Sequence, residues 1–280
     1  MVAFQLLEED TQNPHRFATY DCVASAGDLV DELAERVRRL YVDPTELHDA
    51  LAQAVSGLED VADTERLHEL LERVTTAVVP TPSTNPDMPA HLDLARNEIA
   101  EVIAYEAVEK IHGAVIPAER IREKEVPGLP TRGLDLLGLL PPPTLSLVVS
   151  EVKASSSAAS PPGVVGSGKD SLHSQTKAMV QDLDRLLVEL NWCLKHCRDD
   201  ELRGLVAQAM LLISFGQLPI VAVPVLVRPA DKQQSPSDYG CFRDDPSGYP
   251  PAAIQFCVAR IEGTLEELAA AVYEKARTAQ

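Results

Sequence analysis

The stretch GLDLLGLLPPPTLSLVVSEVK, residues 133–153, determines the predicted fold of this 280-residue chain. The run TLSLVVSEVK at 144–153 is rich in β-branched residues, which is typical of a strand in a sheet interior. A short apolar run, RGLDLLGLL, precedes it, and the prolines at 141–143 favour a turn between the two. Two strands joined by so short a turn are expected to be hairpin neighbours in one sheet.

Three charged residues lie in these otherwise apolar runs. Asp135 stands inside the first run, where an unpaired charge is costly and a cation is expected nearby. Glu151 and Lys153 end the second run, and the two-residue period of a strand places both side chains on one face. The sequence therefore predicts that Asp135 and Glu151 lie within reach of one ion, with Lys153 beside them.

The segments around this hairpin alternate between helical and strand-like patterns. A helix is predicted over about 92–112, ended by Gly113. The rest comprises a Ser/Gly/Pro-rich loop at 154–170, helices at about 171–198 and 199–215, strands at 219–228 and 252–261, and a helix at 264–276. This order predicts an α/β domain whose mixed sheet is flanked by helices.

The front of the chain has a different character. Two strand-like segments, AFQLL and FATYDCV, precede three helical patterns that begin near Gly27, Asp43-Pro44-Thr45 and Asp63-Thr64. Residues 79–91 hold four prolines and no periodicity, as expected of a linker. We therefore predict an acidic, mainly helical N-terminal region over residues 1–90, followed by a catalytic domain over residues 91–280.

Charge and composition restrict the functional classes. The net charge is −18, and residues 1–90 hold 18 Asp/Glu against 6 Lys/Arg. A free-standing nucleic-acid binder is expected to have a basic footprint, so either the basic surface is local or a partner delivers the substrate. The sequence has no apolar run of membrane-spanning length and no export signal at its start, and its five cysteines are scattered. These features predict a cytoplasmic protein with reduced thiols and no membrane contact.

The charged cluster matches the needs of phosphodiester hydrolysis. Mg²⁺, or Mn²⁺ in its place, prefers carboxylate and carbonyl oxygens, which Asp135, Glu151 and the Val152 carbonyl offer. Such an ion polarises a phosphate and activates a bound water. Lys153 is suited to orient that water or to neutralise the charge that develops on the phosphorane.

Helix residues on either side of the hairpin extend the candidate set. In RNEIAEVIAYE, Glu98 and Glu101 are three apart and share a face, so either is a candidate third carboxylate, and Glu101 is favoured. In the helix after the hairpin, Gln175, or second to it Lys177, is a candidate contact to DNA or to the attacking water. An equally good interpretation of Gln175 and Lys177 is that they are ordinary polar residues in the first turn of a helix, without a functional role.

The array of helix glutamate, Gly-Leu-Asp135 and Glu151-Val-Lys153 resembles the PD-(D/E)XK nuclease superfamily, with Leu134 at the usual proline position. More narrowly, RNEIAEVIAYEAVEKIHGAVIP, EVPGLPTRGLDLLGL and SEVKAS resemble HamA, the nuclease subunit family of Hachiman anti-phage defence, over roughly residues 90–180. The resemblance implies a restriction-endonuclease-like fold, Mg²⁺-dependent DNA cleavage and a helicase partner, HamB. The acidic front end would then be a docking surface.

Other interpretations remain open at this level. The run GVVGSGK at 163–169 fits seven positions of a phosphate loop, but Asp170 occupies the position of the required hydroxyl. Cys193, His196 and Cys197 have helical zinc-ligand spacing without a second pair, which more often indicates core packing. A nuclease-like domain without catalytic activity, serving assembly alone, is the other main alternative.

Overall fold

The computed structural model describes residues 2–55, 64–82, 93–124, 133–166 and 168–278. The strands are β1 Val2–Gln12, β2 His15–Ala24, β3 Leu136–Leu140, β4 Ser146–Ser150, β5 Val152–Ala154, β6 Ile220–Ala222, β7 Val225–Pro229 and β8 Ala253–Ile261. The helices are α1 Leu29–Tyr41, α2 Pro44–Val55, α3 Thr64–Val78, α4 Leu94–His112, α5 Gly163–Gly166, α6 Leu172–Val180, α7 Leu183–His196, α8 Asp200–Ser214, α9 Cys241–Asp244 and α10 Leu265–Arg277.

The eight strands form one mixed sheet, which confirms the predicted α/β class. Its order is β1-β2-β8-β6-β4-β3, and β7 pairs with both β8 and β5. The pairs β1–β2 and β3–β4 are antiparallel hairpins, whereas β2, β6 and β7 run parallel to β8. The N-terminal strands therefore belong to the same sheet as the central hairpin.

Helices cover both faces of the sheet. Leu33 of α1, Ile103 of α4 and Val272 of α10 are buried on one face. Leu190 of α7 and Val206 of α8 are buried on the other. Because both faces are covered, the central strands are apolar on both sides, which explains the nearly continuous hydrophobic runs in the sequence. Within the described ranges, no helix combines the length and apolar character needed to cross a bilayer.

Two predicted strands are interrupted at the same level of the sheet. The strand predicted over 144–153 divides at Glu151 into β4 and β5, and the strand predicted over 219–228 divides at Val223-Pro224 into β6 and β7. Proline has no amide hydrogen to donate, so the hydrogen-bond ladder is broken there. Since β4 pairs with β6 and β5 with β7, the two breaks lie side by side.

Two further predictions about the elements were wrong in detail. The single helix predicted over 171–198 is two helices, because the Asp182 side chain accepts a hydrogen bond from the Arg185 amide, 2.9 Å, and caps α7. Asp135, predicted inside a strand, immediately precedes β3. The proposed boundary at residue 90 falls outside the described residues and stays a prediction.

Glu98 joins three helices inside the protein. Its Oε2 accepts hydrogen bonds from the hydroxyls of Tyr41, at 2.5 Å, and Tyr273, at 2.6 Å. Its Oε1 pairs with the ammonium group of Lys124. Burial lowers the pKa of Lys124 to about 8. These contacts link α4 to α1, to α10 and to the segment after α4, so Glu98 has a structural role.

We expect Glu98→Ala to lower the free energy of unfolding by about 3–5 kcal/mol, because it leaves the Lys124 charge buried without its partner. Urea unfolding measures the loss. Glu274→Ala, which removes an exposed carboxylate on α10, is the matched control and is expected to change stability by less than about 0.5 kcal/mol. Equal effects of the two substitutions would show that the buried network is not a stabilising element.

Candidate active site

Asp135, Glu151 and Lys153 lie together at the break between β4 and β5. Leu136 of β3 pairs with Ser150 of β4, which brings the residues flanking that pair side by side. The Val152 amide donates to Asp135 Oδ2 at 2.8 Å, and Lys153 Nζ lies 2.9 Å from Glu151 Oε1. At this break the Val152 amide faces Asp135, and Glu151 is in contact with both Asp135 and Lys153.

Glu101 of α4 reaches the same place from the neighbouring helix. It lines a cleft of ≈ 690 Å³ together with Asp135, Val152 and Lys153. Glu101 Oε2 is buried and has no hydrogen-bond partner. A buried carboxylate oxygen without a partner is costly, and it indicates a site adapted to a cation or a donor that binds there.

Burial controls the ionisation of this cluster. Burial, followed by the nearby Asp135, raises the pKa of Glu151 to about 7, against the opposing effect of Lys153. Burial also raises the pKa of Asp135, although Lys153 and the Val152 amide favour its anion. For Glu101, burial and then the charges of Asp135 and Glu151 raise the pKa well above its usual range. The cluster therefore retains protons that a bound cation would displace.

The donor set fits a hard divalent cation. Asp135 and Glu101 offer carboxylate oxygens to the cleft, whereas Glu151 is not among the described residues that line it and lies against Asp135 and Lys153. The Val152 carbonyl points to the same side of β5 as the Val152 amide, because the two groups of one strand residue point the same way. However, within the described ranges no three His, Cys, Asp or Glu side chains already surround a common point in a metal-binding arrangement. Ligation by this set therefore stays a prediction.

The other predicted site residues are not brought to the cleft. Glu98 is occupied by its structural partners, so Glu101 is the helix carboxylate that faces the cluster. Gln175 and Lys177 are not among the described residues that line the cleft, although Gln175 Oε1 is buried without a hydrogen-bond partner. The role proposed for Gln175 stays a prediction.

The competing motifs take other forms in the structure. Gly163–Gly166 forms the helical turn α5, and both Val164 and Asp170 of this loop line the cleft. Cys193 and Cys197 are buried thiols, and His196 stacks on Trp192 with 4.6 Å between ring centroids. These contacts are those of helix packing.

The network that positions Asp135 was not predicted from any sequence pattern. Arg120 Nε donates to the Leu134 carbonyl at 2.8 Å, and Glu189 accepts from the Leu134 amide at 3.3 Å. Arg120 also pairs with Glu189 and lies 4.1 Å from the centroid of the Trp192 ring. These bonds occupy the Leu134 backbone, which explains why β3 begins only after Asp135.

Gly133 is required for this arrangement. Its φ of 106° is in the left-handed region, and a Cβ atom there would lie 2.6 Å from Arg120 Nη2. Of the residues that fix this backbone, Gly133 and Leu134 lay within the recognised motif. Arg120 and Glu189 are distant in sequence, and no short-range pattern identifies them.

One of the comparisons with known proteins identifies a family for the chain. The model of the HamA family matches residues 2–217, roughly three quarters of the chain. Neither a curated protein nor a solved structure matches it. The matched range includes the N-terminal strands, α4, the central hairpin and the whole carboxylate cluster. The chain therefore belongs to the HamA family, and so to Hachiman anti-phage defence.

Proposed function

We propose that this protein is a Mg²⁺-dependent nuclease that hydrolyses DNA phosphodiester bonds and works with a helicase partner. The observation that carries the proposal is that Asp135, Lys153 and Glu101 line one cleft while Glu151 contacts both Asp135 and Lys153. Structural charge pairs usually neutralise each other, whereas here three carboxylates share one lysine and their pKa values rise. Such an excess of buried acid suits a site that takes up a divalent cation.

Each side chain has a role in the proposed reaction. Asp135, Glu151 and Glu101, with the Val152 carbonyl, would hold Mg²⁺, which supplies Lewis-acid activation of water and phosphate. Hydrolysis joins the water oxygen to phosphorus and breaks the phosphorus–oxygen bond to the sugar. Lys153 stands beside Glu151 and is placed to orient the water and to stabilise the charge that develops on phosphate.

Substitutions in the cluster should remove catalysis without unfolding the protein. We expect Glu151→Gln and Lys153→Ala each to lower the cleavage rate by about 100-fold or more, roughly 3 kcal/mol of transition-state stabilisation. Glu151→Gln also removes a carboxylate that repels Asp135, so it should not lower the thermal midpoint.

Lys169→Ala is the matched control for these substitutions, because Lys169 is exposed in the loop beside the cleft. It should leave cleavage unchanged. Loss of activity in Lys169→Ala with full activity in Lys153→Ala would favour the phosphate-loop interpretation over the nuclease.

Mg²⁺ should stabilise the fold in a pH-dependent way. Glu151 has a folded-state pKa raised to about 7, so its contribution favours the folded state at low pH and is lost as the pH rises toward 7. Mg²⁺ competes with those protons, so its stabilising effect should grow over the same interval. Thermal unfolding with Mg²⁺ or with EDTA, between about pH 5 and about pH 8, measures both trends. Glu151→Gln should flatten the pH dependence of the thermal midpoint and that of the Mg²⁺ effect. An unchanged pH profile in this variant would contradict the assignment of Glu151 as the titrating metal ligand.

The activity is expected to depend on a partner. A net charge of −18 repels DNA at long range, so the isolated chain should bind DNA weakly and cut it slowly. Cleavage in Mg²⁺ should rise when the proposed helicase partner is added, and a pull-down should recover the complex of the two proteins. Rapid, partner-independent digestion by the lone chain at moderate salt would refute this.

Truncation is not a suitable test of that partnership. The concentration of negative charge in the first 80 residues predicts that their removal weakens partner association more than it harms the folding of the catalytic domain. In the structure, however, β2 pairs with β8 and α1 packs in the core, so their loss would expose the sheet. Full-length protein is therefore needed.

A further inference from the structure

The cleft continues from Glu101 toward the first turn of α4. Arg96, Asn97, Ala100 and Glu101 all line it, and they lie on one face of the helix at the spacing of successive turns. Among the described lining residues, only Arg96 and Lys153 are basic. Lys153 lies against Glu151 inside the carboxylate cluster, whereas Arg96 pairs with Glu266 outside it, so Arg96 is the lining cation placed to meet a phosphate beyond the cluster.

Arg96 is an unusual residue in this position. Its residue surface is only 5 % exposed, yet its Nε pairs at 2.6 Å with Glu266, whose side chain is 50 % exposed. An ion pair with so exposed a partner contributes little to stability, and burying a guanidinium is costly. The ion pair that links α4 to α10 therefore does not account for the cost of burying a guanidinium here. An anionic ligand that binds Arg96 in the cleft does account for it.

The distance along the helix suits a nucleic-acid strand. Arg96 and Glu101 are five residues apart, which corresponds to a rise of about 7.5 Å along α4. This is close to the spacing of consecutive phosphates in an extended strand. The planar guanidinium fork matches two phosphate oxygens better than an ammonium group does.

We propose that Arg96 binds the backbone phosphate next to the scissile one, and that Glu266 holds the guanidinium in position until the strand arrives. This inference rests on the proposed nuclease function and adds a phosphate subsite to it. It also identifies a local source of positive charge in a protein whose net charge is −18.

The test uses DNA with one uncharged methylphosphonate linkage, placed on either side of the scissile bond. The full-length chain is assayed with its partner, under the conditions in which the wild type cuts. At one of the two positions the modification should raise the half-saturating DNA concentration of the wild type about tenfold. Arg96→Ala should show a similar rise with unmodified DNA, little change in the maximal rate, and no further penalty from the methylphosphonate.

Two more variants complete the design. Arg96→Lys should restore part of the affinity, and Glu266→Gln, which releases the guanidinium, should preserve or strengthen DNA binding. Arg96→Gln keeps polar bulk at the position and replaces Arg96→Ala if the alanine variant does not fold. A full methylphosphonate penalty in the Arg96 variants would overturn the inference while leaving the nuclease intact. Absence of cleavage by the wild-type complex would instead overturn the proposed function, and this inference with it.

Discussion

The close burial of Asp135, Glu151 and Glu101 is the constraint on which the rest of the structure depends. Three carboxylates in one buried cluster repel each other and lose their hydration, so their pKa values rise. Lys153 offsets only part of that cost. A fold that keeps such a cluster must gain something from it, and the cation binding that we propose is a gain that suits the chemistry of carboxylate donors.

The architecture positions the cluster from three directions. The paired strand breaks at Glu151 and Pro224 lie beside the cluster, and the Val152 amide that follows the first break donates to Asp135. Arg120 and Glu189 fix the backbone immediately before Asp135. On the helix side, the buried contacts of Glu98 anchor α4, which carries Glu101 to the cleft. Structural and candidate catalytic glutamates thus stand one turn apart on one helix, with different environments and different roles.

Much of this could be predicted from local sequence. The hairpin, α4 with its Gly113 end, and the convergence of Asp135, Glu151 and Lys153 follow from strand period and short connections. The different roles of Glu98 and Glu101 do not follow from local sequence, because helical spacing places both on one face. They are distinguished by the partners of Glu98, which are Tyr41, Tyr273 and Lys124. The Arg120–Glu189 network depends on contacts between residues distant in the chain, which no local pattern encodes. Pro224, by contrast, marks one of the strand breaks in the sequence itself.

The central claim is that this cluster takes up a divalent metal ion. Crystals of the protein soaked in Mn²⁺, which substitutes for Mg²⁺ at oxygen sites and scatters anomalously, locate the ion directly. We expect an anomalous peak at coordination distance from Asp135 and Glu151, with Glu101 facing it. Lys153 should then be displaced from Glu151 toward the cleft. A protein saturated with Mn²⁺ that shows no peak there, or one only at other carboxylates, would contradict it.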